Sequence, residues 1–179
     1  MKKIVSILAA SASLFLVSSC NKEDLKINFP INAAEFTFNV PMNSTFGPVT
    51  FQAHNLSYNL DSLCIANSCN LSQITSVKLK EAIFTIEDPD LTTNFDVVDW
   101  ADGYLESAPL PKIKIAGKNP NPKTGGRVLA LDLPDVELVE YVKKQTVSCF
   151  AMGNTNAAVS HDIPVRCRIK FEVTAMIAN

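Results

Sequence analysis

From Ile163 to Ile177 the chain reads as one long strand, with Ile163, Val165, Cys167, Ile169 and Phe171 at every second position. Only an extended backbone puts such residues on one side, and a continuous apolar face of that length needs a second layer to cover it. The same period returns in Phe36, Phe38 and Val40 and in Val49, Phe51 and Ala53, which read as two antiparallel strands around a turn region from Pro41 to Pro48. The segment from Leu56 to Leu60 extends the second strand with a shift of face, before a short helical or looped excursion from Asp61 to Gln73. At Val77 and Leu79 the period starts again, slips at Lys80-Glu81 and resumes at Ala82, Phe84 and Ile86, which predicts a bulge. Asp88-Pro89-Asp90 ends that strand, and further strands are expected over 98–107, 112–116, 127–133 and 146–152. One helix is expected over 135–144, capped by Asp135 and carrying Lys143 and Lys144 at its negative end. No alternation of strands with long helices is present, so a parallel sheet is excluded. The expected fold is all-β: an antiparallel immunoglobulin-like β-sandwich with one or two short helices. The Cys, Trp, Cys spacing of true immunoglobulin domains is missing, so the expectation concerns architecture alone.

A length of 179 residues suits one ordinary domain, and 47% hydrophobic against 19% charged residues excludes a disordered chain. The formal net charge is -2, without the clustered Lys and Arg excess of a nucleic-acid binder, so no nucleic-acid partner is expected.

The N-terminus reads as an address. Lys2 and Lys3 precede an uncharged stretch of 16 residues, Ile4 to Ser19, shorter than the roughly 20 needed to span a bilayer. Leu16-Val17-Ser18-Ser19-Cys20 resembles a lipobox, with Val17 where Leu is more usual. The resemblance implies cleavage before Cys20 and acylation of its thiol, and several acyl chains hold a protein on a membrane effectively permanently. The next residues, Lys22, Glu23 and Asp24 after Asn21, resemble the export signal of Bacteroidetes-type outer-membrane lipoproteins. That implies an outer-membrane, lipid-anchored protein exposed at the cell surface. The segments Ile74 to Lys80 and Leu138 to Lys143 also look like those of small all-β lipoproteins of that group, a similarity that implies no activity. The expected organisation is a signal peptide over 1–19, a lipidated N-terminus and tether over 20–34, and a β-sandwich domain over 35–179.

Four cysteines follow Cys20, and beyond the cytoplasm disulfides persist. Cys64 and Cys69 lie close enough for a local loop-closing bridge. Strands 146–152 and 163–177, folded as a hairpin about Ala158, bring Cys149 opposite Cys167 with both thiols inward. The expected pairs are therefore 64 with 69 and 149 with 167. A structural zinc site needs paired C-x2-C units or added His, so no metal and no cofactor are expected.

No enzyme motif is present. His54 and His161 are the two histidines, without nucleophile spacing around them, and neither is expected to be catalytic. Eight acidic residues and no basic one occupy Glu81 to Glu106, and Asp88, Asp90, Asn94 and Asp96 offer oxygen ligands for calcium without the glycine and terminal Glu of an EF-hand. Lys112, Lys114, Lys118, Lys123 and Arg127 then form a basic run. Either the two runs face each other as a structural device, or they give the surface a polarity that a protein partner reads.

Within the acidic run, Trp100, Asp102, Tyr104 and Glu106 share one strand face and Ala101, Gly103 and Leu105 the other. Burying the first face would bury two carboxylates, which costs several kcal/mol unless they are paired, so this stripe points outward unless Gly103 carries a bulge. An exposed aromatic and acidic stripe suits a protein interface or the stacking of sugar rings. The leading expectation is a non-catalytic accessory module that binds an envelope protein. The alternative is a glycan-binding module on the same stripe, and a glycosidase using the acidic run comes third. Asp61-Ser62-Leu63 resembles the O-glycosylation acceptor of Bacteroidetes, with Ser62 as the acceptor.

Overall fold

The computed structural model describes residues 25–32, 35–42, 47–51, 53–144 and 146–177. Cys20, Lys22, Glu23 and Asp24 lie outside them. Among the described residues, ten strands form two antiparallel sheets. In chain order the elements are β1 (Leu25–Asn32), β2 (Phe36–Val40), β3 (Gly47–Thr50), β4 (His54–Leu56), α1 (Leu60–Ala66), β5 (Ile74–Ile86), β6 (Val98–Ser107), β7 (Leu110–Lys118), β8 (Val128–Ala130), α2 (Val139–Val142), β9 (Val147–Thr155) and β10 (Ile163–Ile177). One sheet runs β1-β10-β5-β8, with β2 also on β10; the other runs β3-β9-β6-β7, with β4 also on β9. This is the expected all-β sandwich with two short helices.

The long alternating strands are the spines of the layers. β10 buries Val165, Ile169, Phe171 and Val173 on the inner face, against Leu105 and Val147 of the other sheet. Full burial of each such side chain contributes about 1.5–3 kcal/mol. β5 carries the expected bulge: Lys170 faces Glu81 and Phe171 faces Leu79, so Lys80 is the extra residue and the apolar face survives the slip.

Four expectations need correction. β1 lies within the segment expected to be a tether. Its Phe29 and Ile31 are buried, and Pro30 is tolerated because β1 pairs on one side only, with β10. The helix expected over 135–144 forms only at Val139–Val142. Asp135 pairs with Lys78 at 2.8 Å instead of capping, and Glu137 takes the N–H groups of Leu138 and Val139.

The two expected hairpins are crossovers. β2 pairs with β10 while β3 pairs with β9, and β9 and β10 themselves lie in different sheets. Cys149 and Cys167 both point inward, but from opposite layers, beside Phe36, Phe38 and Phe84. All four described cysteines are free, buried thiols, so neither expected disulfide is formed. Cys64 ends its approach to Cys69 in a backbone bond, Cys69 N–H to Cys64 O at 2.9 Å. Burial pushes the Cys64 and Cys149 thiols up to about 12, and Cys167 also upward. They are protonated at neutral pH and behave as small apolar core groups.

The segment after β8 closes the free edge of β5. Leu131 and Leu138 donate to the carbonyls of Ala82 and Val77, and Glu137 accepts the Val77 N–H at 2.7 Å. Asp132 and Gly117 exchange two backbone bonds, which ties this segment to β7 and so joins the two sheets at one edge.

Candidate functional site

The outer face of the β9-β6-β7 sheet concentrates side chains that a simple solvated face does not need. On β6, Ala101, Gly103 and Leu105 are buried, Trp100, Asp102 and Tyr104 are half-buried, and Glu106 is exposed. The outward stripe is therefore as expected. A register slip does occur at Gly103 and Tyr104, but the extra residue is Ile115 of β7, so the phase of β6 is kept. The bulge turns Ile115 inward and returns Lys114 to the outer face beside Tyr104.

Across the strands, Trp100 faces Asn154, Asp102 faces Met152, and Tyr104 faces Phe150. The Tyr104 and Phe150 rings stack, with centroids 5.4 Å apart and planes 17° from parallel. Lys112 Nζ sits 4.8 Å from the Tyr104 centroid and 5.4 Å from that of Phe150, and 4.0 Å from Met152 Sδ. A cation over an aromatic face is attracted by the ring quadrupole, by about 0.5–1 kcal/mol at an exposed site. Asp102 is only 13% exposed and pairs with Lys114 Nζ at 2.6 Å; the Tyr104 hydroxyl donates to its other oxygen at 3.3 Å. Partial burial and the Asp102 charge raise the Tyr104 pKa.

The acidic and basic runs are partners. Asp102 pairs with Lys114 and Asp99 with Lys123 at 2.9 Å, while Lys118 turns to Asp132, outside the acidic run, at 2.8 Å. The Arg127 guanidinium donates to the carbonyls of Ile86, Asp88, Asp90 and Thr93 and so gathers the turn that follows β5. The runs therefore organise the fold. Lys112 differs from these: among the described residues it rests on rings and no carboxylate pairs with it.

The calcium candidates do not converge. Asp88 and Asp90 accept local N–H groups, Asn94 caps the turn that begins at Phe95, and no cluster of three acidic, His or Cys ligands exists among the described residues. Ser62 is exposed in the first turn of α1, its N–H held by Asn59. His54 stacks on Phe36 at 4.5 Å across the two layers, a packing role.

Two arrangements, one on this face and one away from it, have no signal among the sequence expectations. Phe150 and Met152 alternate with the inward Cys149 and Ala151 and so belong to the outer face, beside Tyr104 and Asp102. The contact between His161 and Asp88 spans the two sheets' connecting segments, and no spacing signal announces it. No protein-family model matches the chain, and no curated protein is similar to it in sequence.

Proposed function

We propose that the protein is a lipid-anchored outer-membrane module that binds an envelope protein through the outer face of β6, β9 and β7. The observation that carries this reading is the Lys112 ammonium lying over the Tyr104 and Phe150 rings. A sugar ring would need those faces, and the cation occupies them. A protein partner fits the same arrangement, because Trp100, Tyr104, Phe150 and Met152 offer rigid apolar contacts while Lys112 offers a charge to a partner carboxylate or carbonyl. The anchor in this reading is Cys20, with Lys22, Glu23 and Asp24 directing the chain to the surface. One observation favours the glycan alternative: Trp100 is half-exposed and stacks on no other ring among the described residues.

Pull-down from gently solubilised outer membrane, run beside a glycan array, separates the two. The protein reading expects a stoichiometric membrane protein captured by the wild type and lost with Trp100→Ala or Lys112→Glu. A glycan signal lost in Trp100→Ala, without a captured protein, overturns it. In the same strains Cys20→Ala should leave the membrane fraction.

A further inference from the structure

Three side chains from two segments meet where the turn over 87–94 faces the crossover over 156–162. Asp88 is the most firmly held. Its side chain is 2% exposed; Oδ1 accepts the Asp90 N–H at 2.8 Å, and Oδ2 accepts the Thr93 hydroxyl at 3.1 Å and His161 Nε2. The Asp90 N–H, His161 and Thr93 together keep this carboxyl below its ordinary range, so it is an anion at neutral pH. An anion at Nε2 selects the tautomer with hydrogen on that nitrogen and leaves a lone pair on Nδ1. Ser160 Oγ lies 3.1 Å from Nδ1.

This is the order nucleophile, base, orienting carboxylate, with the two ring nitrogens exchanged relative to the commonest arrangement. The carboxylate is buried, while Ser160 is exposed and the His161 side chain is 47% exposed. Both line a cavity of about 200 Å³ shared with Thr92, Asn94, Val97 and Val159. A contact that merely clips two loops needs only Asp88 and His161. The hydroxyl on the far nitrogen and the open cavity beside it are additional.

We propose that Ser160, His161 and Asp88 form a hydrolytic site for esters of short acyl groups, with Ser160 as nucleophile, His161 as general base and acid, and Asp88 as the positioning residue. The acyl group is short because the cavity is smaller than the roughly 300–1,000 Å³ of drug-sized pockets. Ser160 Oγ bonds to the ester carbonyl carbon as its proton passes to Nδ1. The adduct collapses, the bond to the alkoxy oxygen breaks, and that oxygen takes the proton from Nδ1 and leaves as the alcohol. Water then attacks the acyl-serine and gives a proton to Nδ1; collapse returns this proton to Ser160 Oγ and releases the carboxylic acid. The site shares no residue with the outer-face cluster, so the two proposals stand or fall separately.

The test uses the whole protein with a fluorophosphonate probe, peptide mapping of the adduct and hydrolysis of p-nitrophenyl acetate. The wild type should carry the label on Ser160 when folded and not after heat unfolding. His161→Gln should slow labelling about 100-fold or more. Ser160→Ala should abolish both label and hydrolysis. Asp88→Asn should lower kcat for the ester with KM unchanged, whereas a loop merely loosened would move KM as well. An unlabelled Ser160 in the folded wild type, or equal labelling rates in the wild type and His161→Gln, overturns the assignment.

Discussion

Asp88 and Asp102 come from one acidic run, and the fold holds them by different means. Asp88 is kept ionised by neutral donors and an imidazole, whereas Asp102 sits in an ion pair with the ammonium of Lys114. A carboxylate taken out of water costs several kcal/mol unless such partners are in place. Asp102 also needs room. A Cβ on Gly117 would lie 2.4 Å from Asp102 Oδ1 and 2.7 Å from Lys114 Cε, so the missing side chain is what lets the pair form. Those atoms end movable side chains, so Gly117→Ala should cost no more than about 1 kcal/mol in denaturant unfolding, by loosening the ion pair. Adding Asp102→Asn should return part of that loss, and strictly additive costs would show that the pair is not what Gly117 protects. The outward direction of Asp102 was legible because alternation on β6 is unbroken from Trp100 to Ser107. Its partner was not, because the bulge at Ile115 decides which lysine of β7 returns to that face.

At the scale of elements, alternation reported faces faithfully and partners poorly. β10 and the bulge at Lys80 were legible since both are properties of one strand. The pairs β2 with β3 and β9 with β10 were read as hairpins because a turn-like segment separates two alternating runs. A crossover between layers looks the same in one dimension, and the inward thiols of Cys149 and Cys167 fit either. The alternation of β1 at Leu25, Ile27, Phe29 and Ile31 is unbroken, but an internal proline such as Pro30 argues against a strand unless that strand lies at an edge, as β1 does. The edge of β5 depends on Glu137, whose carboxylate receives the buried Val77 N–H. Burial works to raise the Glu137 pKa, but the Val77 N–H, the Ser76 hydroxyl and the N–H groups of Val139 and Leu138 bring it below the ordinary value. A folded pKa below the unfolded one gives stability that is present above the unfolded pKa, about 4.3, and is lost as pH falls through the folded value. Glu137→Ala should cost about 1–3 kcal/mol at pH 7, the penalty of a buried donor without its acceptor. Chemical denaturation at pH 7 and pH 3 should show the difference between wild type and variant shrinking at the lower pH; a difference that grows would contradict the linkage.

At the scale of the molecule, the two faces of the sandwich differ in kind. The outer face of the β10 sheet is a lattice of ion pairs, Arg168 with Glu81 at 2.6 Å and Lys80 with Glu172 at 2.8 Å, typical of a solvated surface. The outer face of the β9 sheet carries stacked rings, a methionine and a lysine that pairs with no carboxylate among the described residues. No helix among the described residues is long and apolar enough to cross a membrane. The proposal assigns attachment to the lipid on Cys20 and recognition to the second face. The most direct measurement is in-cell photocrosslinking, with p-benzoylphenylalanine placed at Tyr104 and, on the opposite face, at Arg168. The account predicts a discrete protein adduct from position 104 and none from position 168; an adduct from 168 alone, or none from 104, would contradict it.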